Sequence, residues 1–337
     1  MPAELPFIGR LAAGARDAIT DVAGVTVGHC TLDEGEVQTG VTVMRPHAGD
    51  AYRDRVPAAA VVLNGFGKSI GLVQVEELGV LETPIALTNT YSVAAVAQAQ
   101  IRACIASNPE SGRGLPTVNP LVFECNDGFL NDIQRMAVGE EHYLRALANA
   151  GADVEEGSVG AGRGMSCFEL KGGIGTASRV ADGWTVGALV LANFGKLPQL
   201  RVAGDALGER LAAKRGAGPG AEKGSIILLL ATDAPLDARQ LRRLALRAGA
   251  GLARTGSVFG HGSGDIALAF STAYTVPLEA TRTMPAQAML HETRLDPLFE
   301  AAADSTEQAI LRAVWRARSI TGRDGHRREA LRDLLPA

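Results

Sequence analysis

The sequence predicts a layered α/β protein, in which helices cover strands in both halves of the chain. Three observations carry that expectation. Apolar runs of strand length, punctuated by Gly, Asn and Pro, recur along the 337 residues. Segments with apolar residues at helical spacing lie between them. Two runs, Ser225–Thr232 and Ile266–Ser271, are nearly continuous in apolar residues, as expected of strands buried on both faces.

In chain order, Val25–Val27, Gly40–Met44, Ala58–Leu63 and Pro84–Leu87 read as strands. Ser92–Ser107 is Ala-rich with helical spacing and reads as a helix. Asn131–Asn149 reads as a second helix, carrying Ile133, Met136, Tyr143, Leu144 and Leu147. A glycine-dense stretch, Gly157–Gly175, follows. Ser178–Ala181 and Thr185–Ala192 read as strands joined by the turn pair Asp182–Gly183. Gly195–Gly224 is rich in Ala, Gly, Lys and Arg, with a short helix expected at Asp205–Lys214. Its end, Arg215–Gly224, has no apolar periodicity and reads as an exposed loop. At Ser225 the pattern changes abruptly to the first buried strand. Asp237–Thr255 reads as a helix with Leu241, Leu244, Ala248 and Leu252 on one side and Gly256 at its end. Ser305–Ile320 reads as the last helix, with Ile310, Val314 and Ala317 on one face.

Composition narrows the function classes. Hydrophobic residues make up 46% but aromatics only 4%, so the core must be built from Ala, Val, Leu and Ile, with Gly at tight backbone contacts. A net charge of −4 without a broad basic face argues against a nucleic-acid partner. The basic cluster Arg323–Arg328 reads as a solvated helix face. Cys30, Cys104, Cys125 and Cys167 form no CxxC pair and match no zinc spacing, so they read as reduced thiols of a cytosolic protein without a metal. No apolar run approaches the ~18 residues that span a bilayer. The N-terminus lacks the charged and apolar regions of a signal peptide. The expectation is a cytoplasmic protein without cofactor or membrane partner.

Four short segments carry chemistry. At Gly224–Ser225 a polar loop meets a buried strand. A serine hydroxyl is a weak nucleophile without a base beside it. A serine that opens a chain has its own α-amine, of reference pKa about 7.7–8.0, within reach. Gly262-Ser263-Gly264-Asp265 precedes the strand Ile266–Ser271, and its carboxylate lies two residues from its hydroxyl. Asn193 ends the strand Thr185–Ala192, where its carboxamide N–H is a candidate oxyanion donor. Glu124, after the run Leu121–Phe123, is a candidate for holding a substrate ammonium or for capping a following helix.

Taken together, the chain resembles the L-aminopeptidase/D-esterase and β-peptidyl aminopeptidase family of self-processing N-terminal-nucleophile hydrolases. The resemblance rests on segments in the family's order, among them Ala18–Leu32, Leu63–Leu72, Glu77–Val93, Glu124–Asp132, Gly157–Met165, Leu189–Gly195, Gly224–Pro235 and Gly260–Ala273. It implies a four-layer αββα sandwich, cleaved between Gly224 and Ser225 into chains 1–224 and 225–337 that stay together, and a homotetramer of such protomers. It implies Ser225 as nucleophile, Ser263 and Asp265 as its supports, Asn193 in the oxyanion hole and Glu124 on the substrate's free amine. The substrate expected is a small peptide, amide or ester with a free amino group.

The chain departs from the family pattern at three positions, one of which, Cys125 in place of the more usual Thr or Trp, reads as packing. Phe129 stands where the family has a Tyr credited with helping the oxyanion, and a neighbour such as Tyr91 is a candidate substitute donor. His261 stands where Asn is expected, as a turn residue or a substrate-pocket residue. Rival readings are an endo-amidase of the nylon-oligomer hydrolase type, an aminoacyl transferase, and a non-catalytic member that binds an amino compound.

Overall fold

Alternation along one strand sets the layering. The structure is a computed structural model that describes residues 4–215 and 224–335. In β8 (Ser225–Thr232; strands and helices are numbered along the chain, two-residue strands omitted), Ile226, Leu228 and Leu230 pack into one core. Ile227, Leu229 and Ala231 pack into another on the opposite face. The first core lies under α5 (Ala238–Arg254) and α6 (Asp296–Trp315). The second lies between two sheets. A third core separates the smaller sheet from α2 (Val93–Ser107) and α3 (Glu140–Ala148). These three cores make an αββα sandwich of four layers.

The smaller sheet has the order β1 (Thr26–Glu34), β2 (Val37–Arg45), β4 (Ile85–Asn89), β5 (Leu121–Cys125). In the larger sheet, β3 (Asp54–Gly65) is followed by β9 (Gly264–Ser271), β8, β7 (Trp184–Asn193) and β6 (Gly173–Ala181). The β8–β9 pair is parallel and its flanking pairs are antiparallel. The two strands that follow Gly224 in the chain thus lie between strands that precede it. The hairpin β6–β7 turns at Asp182 and Gly183, both at positive φ, as that residue pair predicts.

Most strand expectations hold within a few residues, and Ser225–Thr232 holds at both ends. The short helix falls at α4 (Leu207–Arg215). Two helix expectations need correction. Asn131–Asn149 is not one helix: a 3₁₀ turn at Ile133–Arg135 stops at Met136, whose left-handed φ of 47° ends it before α3 begins. The last helix starts nine residues before Ser305, with Pro297 in its first turn, and stops at Trp315. The basic cluster Arg323–Arg328 is not a helix face. It forms a turn and the return strand of a small hairpin, Ile320–Thr321 with Arg327–Arg328, and Arg328 is buried. Apart from Arg215 and Gly224, the expected loop Arg215–Gly224 lies outside the described residues. The four cysteines are free thiols. Among the described residues no helix is long and apolar enough to cross a membrane, and no cluster of His, Cys, Asp and Glu is arranged to hold a metal.

Helix α6 rests directly on the β6 backbone at Gly175. A Cβ there would lie 1.9 Å from the Ala309 carbonyl oxygen and 2.6 Å from the Ala313 nitrogen. Both obstacles are main chain, so Gly175→Ala must lift the helix from the sheet. The expected cost is about 1–3 kcal/mol or more, read from urea unfolding. An unchanged midpoint would contradict this packing.

Candidate active site

Strand register assembles the site. Ser225, the first residue of β8, pairs with Asn193 at the end of β7 on one side and with Gly264 at the start of β9 on the other. Ser263 and Asp265 flank Gly264, so three of the four segments predicted to carry chemistry meet at one end of the larger sheet. Ser225, Ser263, Asp265 and Asn193 are all buried. The Gly264 N–H donates to Ser225 Oγ at 3.1 Å. Ser263 Oγ donates to Asp265 Oδ1 at 2.5 Å. Asp265 Oδ2 has no hydrogen-bond partner among the described residues. Burial pushes the Asp265 carboxyl up to about 6, against the opposing pull of the Ser263 bond.

Asn193 is held by both ends of its amide. Its Oδ1 accepts from the Ser166 N–H at 2.8 Å, which leaves Nδ2 as the donor, and Nδ2 reaches the Asn126 carbonyl at 3.0 Å. Ser166 is presented by the glycine-dense stretch, which folds back as a short ladder, Ser166–Cys167 with Leu170–Lys171. Lys171 fastens that ladder from inside: its Nζ donates to the carbonyls of Gly162, Met165 and Gly172, each at 2.9 Å. Burial, then the nearby Arg163 cation, pushes the Lys171 pKa down. Three carbonyl acceptors nonetheless require three N–H donors, so the ammonium form is the one that fits.

Gly224 is needed for close approach. A Cβ at that position would lie 2.5 Å from Phe194 Cα and 2.6 Å from the Asn193 carbonyl oxygen. It opens into a cleft of about 360 Å³ that His261, Val258, Lys196 and Ser263 also line. His261 is exposed on the rim, its ring 6.3 Å from that of Phe66. Asn64, on β3, clamps the loop before Ser263: its Nδ2 donates to the Ser263 carbonyl and, at 3.0 Å, to that of Gly260. Asn64 borders a register irregularity where β3 meets Asp265 and Ile266, a feature common beside functional sites.

Glu124, near the end of β5, is buried and does not cap a helix, because no helix begins near Gly128. Its Oε1 accepts from the Lys68 N–H at 2.8 Å, and its Oε2 accepts from the Thr90 hydroxyl. Gly67 separates this carboxylate from Gly264, the strand partner of Ser225. Glu124 Oε1 and Gly264 Cα lie 3.6 and 3.7 Å from where a Gly67 Cβ would stand. Phe129 stacks on His326, with centroids 4.6 Å apart and 10° between planes, and its ring carries the Arg328 guanidinium at 3.5 Å. Tyr91 follows Thr90 with its ring largely exposed. Cys125 is fully buried, its thiol 3.6 Å from the Leu191 carbonyl.

Six positioning groups were given no role from sequence: Asn64, the Lys68 N–H, Thr90, Asn126, Ser166 and Arg328. The first four sit inside the motif segments and Ser166 directly follows one, so nearness to those segments was the available signal. Arg328 had none, since a basic cluster gives no sign of burial.

Residues 17–328 match the pattern of peptidase family S58. The β-peptidyl aminopeptidase BapA of Sphingosinicella microcystinivorans is 41% identical over 351 residues, covering 96% of this chain and 86% of that protein. Among solved structures, the PH0078 protein of Pyrococcus horikoshii OT3 superposes with a TM-score of 0.91 at 47% identity, covering 96% of this chain and 94% of that one. The L-aminopeptidase D-Ala-esterase/amidase of Ochrobactrum anthropi superposes at 0.89 with 36% identity, covering 97% and 93%. That enzyme is described as a prototype for the serine aminopeptidases and a variant of the Ntn hydrolase fold.

The Asp265 environment sets a pH dependence. Its folded-state pKa, about 6, lies above the ordinary 3.8. Stability from the neutral carboxyl is therefore full below about pH 4 and is lost as pH rises through about 6. Asn cannot ionise, so Asp265→Asn removes that loss. With Ser225→Ala in both proteins to keep the chain uncut, the Asp265→Asn protein should melt higher than its Asp265 parent at about pH 8, with the gain fading toward pH 4. A difference independent of pH would contradict the ionisation of a buried Asp265.

Proposed function

The chain belongs to peptidase family S58 and is a serine aminopeptidase, and we propose that Ser225 is its nucleophile, freed as an N-terminus when the Gly224–Ser225 bond is cut. One observation carries the proposal: the β7–β8–β9 register sets Ser225 beside Asn193 and Gly264, next to the Ser263–Asp265 pair.

In the continuous chain, Ser225 Oγ attacks the Gly224 carbonyl carbon. The hydroxyl proton passes toward Asp265 through Ser263, the C–N bond breaks, and the departing nitrogen takes a proton. The resulting ester is hydrolysed, leaving a Gly224 carboxylate and a free Ser225 amine. The products are chains 1–224 and 225–337, held together because both contribute strands to the larger sheet. In turnover, Ser225 Oγ attacks a substrate amide or ester while its own α-amine or Ser263 takes the proton. Asn193 Nδ2 donates to the oxyanion. An acyl-enzyme forms, the leaving group departs with a proton, and water releases the acid. The new ammonium, close to Asp265, lowers that carboxyl's pKa relative to the uncut chain.

Glu124 anchors the substrate's ammonium in this reading, and its bonds to Lys68 N–H and Thr90 aim it. Phe129 does not donate to the oxyanion, since its ring has no donor and stacks on His326 and Arg328. His261, on the rim, contacts the substrate's distal part. The resemblance and the unpaired thiols support a cytoplasmic homotetramer of processed protomers. The substrates proposed are small peptides, amides or esters with a free amino end, β-peptides among them.

Two experiments test these roles. Ser225→Ala should abolish turnover of aminoacyl anilides by a folded protein, whereas Ser225→Cys should keep some. Normal hydrolysis by Ser225→Ala would move the nucleophile elsewhere. For Glu124, the readout is the kcat/KM ratio between an aminoacyl anilide and its N-acetyl form. Glu124→Gln should shrink that preference about 10- to 100-fold, the scale of a lost charge-assisted hydrogen bond. An unchanged ratio would favour an endo-amidase over an exopeptidase.

A further inference from the structure

Arg328 is a basic side chain with 3% exposure, and the steps above do not use it. It arrives on the return strand of the C-terminal hairpin, Ile320–Thr321 with Arg327–Arg328. That hairpin is clasped onto the loop after β5. The Arg323 N–H donates to the Leu130 carbonyl at 2.7 Å and its Nε to the Gly128 carbonyl at 3.1 Å. His326 Nδ1 meets the Phe129 carbonyl at 2.9 Å. On the other side, the Lys171 N–H donates to the Glu329 carbonyl at 2.9 Å. The guanidinium is therefore delivered by clamps on both flanks.

Its contacts lead to the site. Arg328 Nε donates to Ser166 Oγ at 3.1 Å, and the Ser166 N–H in turn holds Asn193 Oδ1. Ser166, Glu169, Asn193, Phe194, Gly195, Gly224 and Arg328 line one cleft of about 10 Å³, room for a single water at most. The guanidinium lies over the face of Phe129, whose ring in turn stacks on His326. A planar guanidinium stacks on an aromatic face and keeps its in-plane donors for hydrogen bonds, which an ammonium cannot do. A cation fixed in a water-poor site favours negative charge developing nearby, and it does so more strongly than in bulk water.

We propose that Arg328, stacked on Phe129, is a positioning residue for the oxyanion hole: through Ser166 it fixes the Asn193 donor, and its charge favours the tetrahedral oxyanion at Ser225. The inference rests on the reading of Asn193 as an oxyanion donor. It also gives Phe129 a purpose. The ring that lacks a hydroxyl to offer the oxyanion instead supports the cation behind the donor.

The test compares Arg328→Met, Arg328→Lys, Ser166→Ala, the Arg328→Met/Ser166→Ala double variant and Phe129→Leu in the full chain. The readouts are the rate of self-cleavage, and kcat and KM of processed protein on an aminoacyl anilide, with melting temperatures alongside. Arg328→Met should lower kcat about 10- to 100-fold, less than the ~10²–10³ typical of a direct oxyanion donor, and leave KM nearly unchanged. Arg328→Lys should recover part of the loss, and the double variant should lose less than the product of the single losses. If Arg328→Met stays uncut, its slowed cleavage is the readout. If it fails to fold, Ser166→Ala and Phe129→Leu carry the test through kcat. Unchanged kcat in the folded variants, or losses that appear only in KM, would overturn the proposal. Asn193→Ala separates the two readings: if that variant keeps full turnover, the oxyanion assignment fails, whereas its inactivity beside an active Arg328→Met defeats only the role of Arg328.

Discussion

The pairing of Ser225 with Asn193 and Gly264 is the constraint on which the rest of the structure depends. The side-chain period of a strand is two, so a one-residue slip of β8 would exchange its two faces. Ile226, Leu228 and Leu230 would leave the helix-covered core, and Ile227, Leu229 and Ala231 would leave the core between the sheets. Both faces of β8 are buried, so register is fixed by packing along the whole strand. The same packing places a hydroxyl, a carboxamide and a Ser–Asp pair within one small volume. Hydrophobic patterning far from the site thereby determines its geometry.

Around that register, backbone groups do most of the aiming. Ser166 N–H holds Asn193, Gly264 N–H meets Ser225, and Lys68 N–H holds Glu124. Such donors need loops that come close, which explains the glycines: Gly224 lies against the backbone of 193–194, and Gly264 against that of 66–67. The glycine-dense stretch is stiffened by the Lys171 ammonium, whose three carbonyl contacts stand in for a regular ladder. The C-terminal hairpin closes the arrangement from behind Phe129 and Asn193. Under the proposed cut, that hairpin and Ser225 share one chain while Asn193, Glu124 and Ser166 belong to the other. The site is then completed across a break in the backbone by contacts formed before the break.

The layered fold and the site differed in how far the sequence revealed them. Ser225–Thr232 was legible because eight nearly apolar residues between polar segments admit little but a buried strand. Asn193, Ser263, Asp265 and Glu124 were legible as polar residues at the ends of such runs. The division at Met136 was not, because a left-handed residue within a helical spacing leaves no periodic trace. The early start of α6 was hidden by its alanines, which mark no face. The burial of Arg328 was invisible because charge in a sequence reads as exposure, and only the fold shows Phe129 and Ser166 waiting for it. Glu124 lost its helix-capping alternative for a similar reason: the segment after it is a turn, which depends on where the C-terminal hairpin lands.

The central claim is that Ser225 acts as the first residue of a chain. Intact-mass measurement and N-terminal sequencing of the purified, active protein test it directly. The account predicts two associated fragments, 1–224 and 225–337, the smaller beginning Ser-Ile-Ile-Leu. Full activity from an uncut chain, or a cut at any other bond, would contradict it.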